Sequence, residues 1–533
     1  MLCRPFALLA LALSGASAQV HRAAPSPAPV LLVFLTVDQM RADYFRRFDA
    51  QLTGGLRRLY DSSAFFLEGY QDHAITETAP GHAATMSGRF PVHTGIVTNS
   101  QGVNGVPDAS VIGGTDGIDP AASPLRFHGT TLTDWLTAAN PETRVLSVSR
   151  KDRGAILPIG RRKADVYWWA ASNATFTTSR YYADSLPSWV GRFNARHMAQ
   201  LYAGTAWTLL LPEHAYPERD TVEVENGGVD NVFPHRVPDD SMMAARSAAT
   251  FPWMDEMTLA FALEGMQRLG LGTDSGRTDL LSISLSTTDA IGHKFGPDSR
   301  EIHDQIVRLD RALGVFFDSL FKLRDQRKIV VALTGDHGMA PYPTLKSAIY
   351  PNHDAKIVSL APAWNAFRAR LEAAEVDPAA VTIEESVVVL ANPEAFAKAR
   401  VNADSAIATF GRDALRVPGV QRADLMSTLA RADTTRDTIA RRWLHMFRSD
   451  GAVRLAITLT PYSYWAWAGT IATHGSPHDY DAHVPLLFYG PGVRPGKYAG
   501  FVRVVDMAPT LARLLHVKPL ESVDGRVLRQ AIQ

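Results

Sequence analysis

Asp336 and His337 stand side by side in Gly335-Asp-His-Gly338, directly after the apolar run IVVALT at residues 329–334. A carboxylate and an imidazole at the end of a core strand are costly to bury without a counter-charge, and a bound metal ion supplies one. Asp289 and His293 are four residues apart, so in a helical turn they share a face and can converge on one cation. Gly292 between them permits a tight bend. Asp38 closes another apolar run, and His474 lies in Thr473-His474-Gly475-Ser476-Pro477-His478. Plain alternatives exist for both: aspartate is common where a buried strand opens into a turn, and a lone loop histidine is often a surface or capping residue.

Carboxylates and neutral imidazoles suit Zn2+ better than Mn2+ or iron, whereas Ca2+ and Mg2+ prefer all-oxygen cages. Sulfur ligation is excluded, because Cys3 is the only cysteine and falls in a leader segment. Six candidate ligands exceed the three that a catalytic zinc usually takes from protein, so two metals with three ligands each is the simplest division. Paired metals of this kind clamp the attacking and leaving oxygens of an in-line displacement at phosphorus.

That chemistry needs a nucleophile, and Thr78-Ala-Pro80-Gly-His82 offers one. Pro80 fits a first helical turn, which puts the Thr78 hydroxyl near a positive helix terminus. Metal coordination would lower the hydroxyl pKa without a neighbouring base; a threonine that only caps the helix is the alternative. Lys151 and Arg153 follow the strand-like run at 143–148 and are two apart, so an extended segment points both to one side. They form either a convergent pair for phosphoryl oxygens, with Arg153 able to bind bidentately, or a solvated charge cluster.

Rigid elements must carry these groups to one place. The runs at 30–37 (VLLVFLTV), 280–286, 329–334 and 484–489 have the continuous apolar character of strands buried on both faces of a parallel sheet. Three of them run into ionisable residues at or just past their carboxyl ends, the edge where open α/β sheets bind ligands. Between strands, residues 301–323 place Ile306, Leu309, Leu313, Phe316, Phe317 and Leu320 at helical spacing, and 506–515 is a second helical stretch. This alternation predicts an α/β fold with one doubly wound, mostly parallel sheet flanked by helices. The irregular stretches at about 163–273 and 342–470 are expected to be inserted cap segments, and no internal repeat is seen.

Composition narrows the function. Of 533 residues, 46% are hydrophobic and 20% charged, enough for a large core and too apolar for disorder. The 54 Lys and Arg balance 54 Asp and Glu, which excludes a basic nucleic-acid-binding protein. Arg4, the apolar run 6–13 and Ala16-Ser17-Ala18 predict a signal peptide at 1–18 cut before Gln19, then a linker at 19–28 and a catalytic domain at 29–533. The apolar run is far shorter than the roughly 20 residues a spanning helix needs, and Cys3 lies upstream of it instead of at a lipoprotein cleavage point. A soluble periplasmic or secreted protein is expected. Oligomeric state leaves no readable signal.

Taken in order, Val37-Asp38-Gln39-Met40-Arg41, Thr78-Ala-Pro-Gly-His82, Gly95-Ile-Val-Thr-Asn99, Lys151-Asp152-Arg153, Asp289-x-x-x-His293, Gly335-Asp336-His337-Gly338 and Thr473-His474-Gly475 resemble the alkaline phosphatase superfamily. More narrowly, they are similar to its secreted bacterial phosphate-irrepressible branch with a threonine nucleophile. DAHVPLLFYG at 481–490 extends the likeness. The resemblance implies an alkaline-phosphatase-like fold in which Asp289, His293 and His474 hold one zinc. Asp38, Asp336 and His337 would hold the second, with Thr78 Oγ bound to it as nucleophile. Asn99, Lys151 and Arg153 would bind the phosphoryl oxygens, and the Lys/Arg pair would take the electrostatic role of the third, magnesium-type site of other alkaline phosphatases. Phosphate monoesters would be hydrolysed through a phosphothreonine at Thr78, then by attack of water.

Three other readings stay in view. A nucleotide pyrophosphatase/phosphodiesterase shares the metals, the threonine and the asparagine, but has little use for a Lys/Arg clamp. A sulfatase needs a Cys or Ser converted to formylglycine, and usually an Arg where His82 stands. An inactive binding protein on the same fold would release no phosphate from p-nitrophenyl phosphate. The physiological monoester is not encoded legibly in the cap segments.

Overall fold

The computed structural model describes residues 29–105, 109–345, 354–466 and 472–533; the expected signal peptide and linker at 1–28 lie outside them. Leu31–Val37, Val145–Ser149, Asp279–Leu285 and Ile329–Gly335 are buried at every position, as strands covered on both faces must be. They pair in parallel, with Leu31–Val37 between Ile329–Gly335 and Asp279–Leu285, and Val145–Ser149 next to the latter. Asp165–Ala170 continues this parallel run, and Thr175–Thr177 ends it antiparallel. On the opposite side, Leu486–Tyr489 pairs antiparallel with both Ile329–Gly335 and Ala64–Tyr70, and Gly496–Arg503 lies parallel to Ala64–Tyr70.

The result is a nine-stranded, mostly parallel sheet flanked by helices, the expected architecture. The run at 484–489 is reversed relative to its neighbours, because a continuous apolar pattern reports burial on both faces and carries nothing about strand direction. Helix Arg300–Leu323 buries Ile306, Leu309, Leu313, Phe316, Phe317 and Leu320 against one sheet face, and its Ser299 hydroxyl accepts the Ile302 N–H as a cap. The other face is covered by Thr78–Ser87, Leu132–Ala139 and Met507–Leu514.

Between 163 and 273 the chain contributes the last two strands on one side of the main sheet, Asp165–Ala170 and the edge strand Thr175–Thr177, and the helix Trp253–Arg268, which packs Met257, Phe261 and Met266 into the same core as helix Arg300–Leu323. Between 342 and 470 a separate antiparallel sheet forms, ordered Val381–Glu384, Val387–Leu390, Val453–Leu459 and Val420–Leu425. Phe367, Phe410 and Leu455 build its own core. Helix Thr438–Met446 then sets Trp443 and Met446 against Ala74 and Ile75, just before Thr78. No helix among the described residues is long and apolar enough to cross a membrane.

Candidate active site

Four adjacent parallel strands deliver the ionisable groups to one sheet edge. Asp38 follows Leu31–Val37, and Asp336 and His337 follow Ile329–Gly335. Asp289 and His293 ride on helix Thr287–Phe295, which starts straight after Asp279–Leu285, and Lys151 caps the helix Asp152–Ile156 after Val145–Ser149. Asp289 and His293 therefore share one helical face, as their spacing requires. Gly292, however, makes no bend: it lies inside that helix, where a Cβ would overlap the Gln39 side chain.

Backbone contacts orient these carboxylates and imidazoles. The N–H groups of Gln39 and His337 each donate to Asp336 Oδ1 at 3.0 Å. Each imidazole donates from Nδ1 to a carbonyl: His337 to Gly338 O at 2.9 Å, His293 to Ala472 O at 2.6 Å and His474 to Thr76 O at 2.8 Å. A carbonyl only accepts, so the proton sits on Nδ1 and the Nε2 lone pair is left for a metal. The His474 side chain is only 7% exposed and stacks on His337 with ring centroids 3.6 Å apart, so it is not a surface histidine.

Around Asp289 Oδ1, His293 Nε2 lies at 3.3 Å and His474 Nε2 at 3.6 Å. His337 Nε2 lies 3.4 Å from Asp38 Oδ1 and 3.7 Å from Asp336 Oδ2. Ligand atoms of Asp289, His293 and His474 fall within 4.8 Å of one another, and so do those of Asp38, Asp289 and His337. Asp289 thus belongs to both groupings, and Asp336 approaches the second through His337. Lys151 Nζ stands between the carboxylates, 2.7 Å from Asp38 Oδ2 and 2.6 Å from Asp289 Oδ2, and donates to Thr78 Oγ at 3.1 Å.

The electrostatics call for cations. Burial pushes the Asp38 carboxyl up, and Asp289 and Asp336 push it further. For Asp289 burial also acts upward, but Lys151, His293 and His474 outweigh it and hold the carboxyl well below its ordinary range. Burial, with His337 and His293, lowers His474 well below the usual imidazole value and keeps it neutral. Asp38 Oδ1, Asp289 Oδ1 and Asp336 Oδ2 are buried and accept no hydrogen bond; His82 Nδ1, 3.1 Å from the last, gives its proton to Thr78 O at 2.9 Å. One ammonium beside three buried carboxylates leaves negative charge that bound cations would offset. Oxygen and nitrogen donors without sulfur fit zinc.

Thr78 is the first residue of helix Thr78–Ser87, with Glu77 at the cap and Pro80 in the first turn. Gly81 lets this helix press on the next strand end, because a Cβ there would overlap the Asp336 carbonyl. Asn99 Oδ1 accepts the Ala79 N–H at 2.9 Å, and the Asn99 N–H donates to Glu77 Oε2 at 2.6 Å, so the Asn99 amide keeps its Nδ2 donors for another acceptor. Lys151 is extended, but Arg153 already belongs to helix Asp152–Ile156. Strand alternation therefore does not set their relation. The Arg153 guanidinium lies 3.7 Å from Asp152 and within range to offset part of the rise that burial imposes on the Glu77 carboxyl.

Sequence reasoning assigned no role to His82 or Glu77. His82 Nε2 pairs with Ser284 Oγ at 2.8 Å while Nδ1 donates to Thr78 O, tying helix Thr78–Ser87 to the strand before Asp289. Its i, i+4 spacing from Thr78 was the available signal.

The family model for type I phosphodiesterase / nucleotide pyrophosphatase matches residues 32–419. The chain belongs to that family, within the alkaline phosphatase superfamily. It is 31% identical over 570 residues to the alkaline phosphatase PhoV of Synechococcus elongatus, covering 100% of this chain and 99% of that one. To the alkaline phosphatase PhoK of a Sphingomonas species it is 32% identical, over 94% of this chain and 91% of that one. The crystal structure of wild type alkaline phosphatase PafA superposes with a TM-score of 0.86 at 27% identity, covering 96% of this chain and 100% of that chain. The protein is an enzyme of the alkaline phosphatase type, with the corresponding fold.

Proposed function

We propose that the protein is an exported, zinc-dependent phosphomonoesterase that uses Thr78 as its nucleophile. The observation that carries this reading is the convergence on Thr78 Oγ of the Lys151 ammonium at 3.1 Å and the His337 imidazole at 3.5 Å, beside carboxylate oxygens that no hydrogen bond satisfies. Asp289, His293 and His474 would hold one Zn2+, and Asp38, Asp336 and His337, with Thr78, the other. When bound, the ions supply Lewis acidity toward the hydroxyl and the phosphoryl oxygens.

Lys151 stabilises the deprotonated Thr78 oxygen by a charge-assisted hydrogen bond. With Asn99 Nδ2 and the Arg153 guanidinium, it orients the phosphoryl group for in-line attack. The Thr78 O–P bond forms as the bond to the leaving oxygen breaks, and the leaving oxygen departs as an alcohol, gaining through solvent the one proton that Thr78 gives up. Water then cleaves the phosphothreonine, giving its hydroxyl to phosphorus and returning a proton to Thr78. The described parts of 163–273 and 342–470 that lie outside the main sheet and its core flank this edge as caps that meet the leaving group, and residues 1–18 direct export to the periplasm or medium.

A diesterase reading draws support from the name of the matching family model. Substitution of the clamp separates the two. Each charge-assisted contact is worth roughly 1.5–3 kcal/mol, about ten- to a hundredfold in rate. A dianionic monoester offers the clamp one more anionic oxygen than a diester does. Lys151→Ala/Arg153→Ala should slow p-nitrophenyl phosphate hydrolysis far more than bis-p-nitrophenyl phosphate hydrolysis, judged beside each single variant because the effects need not add. Equal slowing of both substrates would favour the diesterase.

A further inference from the structure

We propose that Asp481 is a positioning residue that holds the His474 loop and the His337 turn in register for metal binding; this rests on the metal assignment above. Asp481 opens the DAHVPLLFYG segment and is 1% exposed, a costly place for a carboxylate without a structural task. Its Oδ2 accepts two hydrogen bonds from Ser476, from the N–H at 2.9 Å and from the hydroxyl at 2.6 Å. Ser476 O in turn accepts the Thr76 hydroxyl at 2.9 Å, and Thr76 O accepts His474 Nδ1–H at 2.8 Å. On its other side, Asp481 O accepts the Gly338 N–H at 2.6 Å, and Gly338 O accepts His337 Nδ1–H at 2.9 Å.

One buried residue is therefore linked to the Nδ1 anchors of two ligating histidines and to the segment that leads into Thr78. The loop it holds needs restraint. Gly475 sits at φ +111°, a conformation open to glycine because it lacks a Cβ. Gly338 meets the Tyr480 carbonyl so closely that a Cβ would overlap it, so the two backbones are locked together at this point. Partners that orient metal-bound histidines typically change metal affinity ten- to a hundredfold when removed.

The test uses the full mature enzyme equilibrated in zinc buffers of defined free Zn2+, with bound zinc counted by atomic emission and unfolding of the metal-free form followed separately. Asp481→Ala should weaken the zinc ion that His474→Ala also loses, by about ten- to a hundredfold. Asp481→Asn should retain most of the affinity, since its Oδ1 can accept the same two bonds. Ser476→Ala, which keeps the backbone donor, should fall between. Wild-type zinc affinity in Asp481→Ala, with the loss present in His474→Ala, would overturn the inference, as would Asn behaving like Ala. If Asp481→Ala does not fold, an unchanged affinity in Ser476→Ala overturns it instead. Retention of both ions by His474→Ala would bring down the metal assignment itself, and this inference with it.

Discussion

Three threonines lie within ten residues of one another, and their hydroxyls have different partners. Thr76 donates to Ser476 O and Thr85 to His82 O inside the helix, whereas Thr78 Oγ faces Lys151 and His337. Acid-quenched enzyme should carry phosphate on the peptide containing Thr78, and a phosphate on Thr76 or Thr85 would refute the assignment. Thr78→Ala should lower turnover by about three orders of magnitude or more, since loss of a nucleophile removes the covalent path altogether. Thr85→Ala should cost about 1 kcal/mol of stability and leave turnover near wild type.

Helix contacts set the distances that these side chains need. Replacing Gly81 with alanine would push helix Thr78–Ser87 off the Asp336 carbonyl. A clash with backbone in a packed core costs about 1–3 kcal/mol, and the Thr78 shift should depress kcat beyond what the fall in Tm accounts for. Wild-type kcat in Gly81→Ala would show that the approach is not needed. The helix carrying Asp289 is clamped from behind by Asp255, which accepts the Thr287 hydroxyl at 2.7 Å, the Thr287 N–H at 3.2 Å and Gln305 Nε2 at 2.9 Å. Burial pushes the Asp255 carboxyl up to about 6, against partial relief from Thr287 and Gln305. Because the folded value exceeds the unfolded one, this contribution to stability is complete below about pH 4 and lost as pH rises through about 6. The loss amounts to roughly 3 kcal/mol at 1.36 kcal/mol per unit. Asp255→Asn should abolish it: the new amide can still accept from Thr287, and Gln305 Oε1, now unpartnered, can turn to accept from it. Urea unfolding of both proteins across pH 4–7 measures the difference, and parallel curves would exclude this titration.

For the whole molecule, the site is a junction between layers. Asp38, Asp289 and Asp336 repel one another at the sheet edge, His474 arrives from a loop before the last strands, and helix Thr438–Met446 of the smaller sheet braces the segment leading to Thr78. Metal that binds the folded form and not the unfolded chain stabilises it by mass action. Chelation should abolish activity and lower Tm, and Zn2+ should restore both with two ions per chain. Recovery with Ca2+ alone, or a stoichiometry near one, would overturn the two-zinc assignment.

Residue type and order determined much of this by themselves. Apolar runs that end in Asp38 or Asp336-His337 are legible as buried strands, because a strand covered on both faces must be apolar throughout. The Asp289/His293 pair is legible because helical periodicity is local. Direction and partnership are not local. The reversal of Leu486–Tyr489, the place of 165–177 in the main sheet, the helical start that separates Arg153 from Lys151, and Asp289 belonging to both ligand groupings all depend on which distant segments pack together. The burial of His474 was likewise invisible in its loop, since it comes from contacts with Thr76 and His337. Only the tertiary structure decides such matters, because hydrogen-bond partners and burial are properties of pairs of segments far apart in the chain.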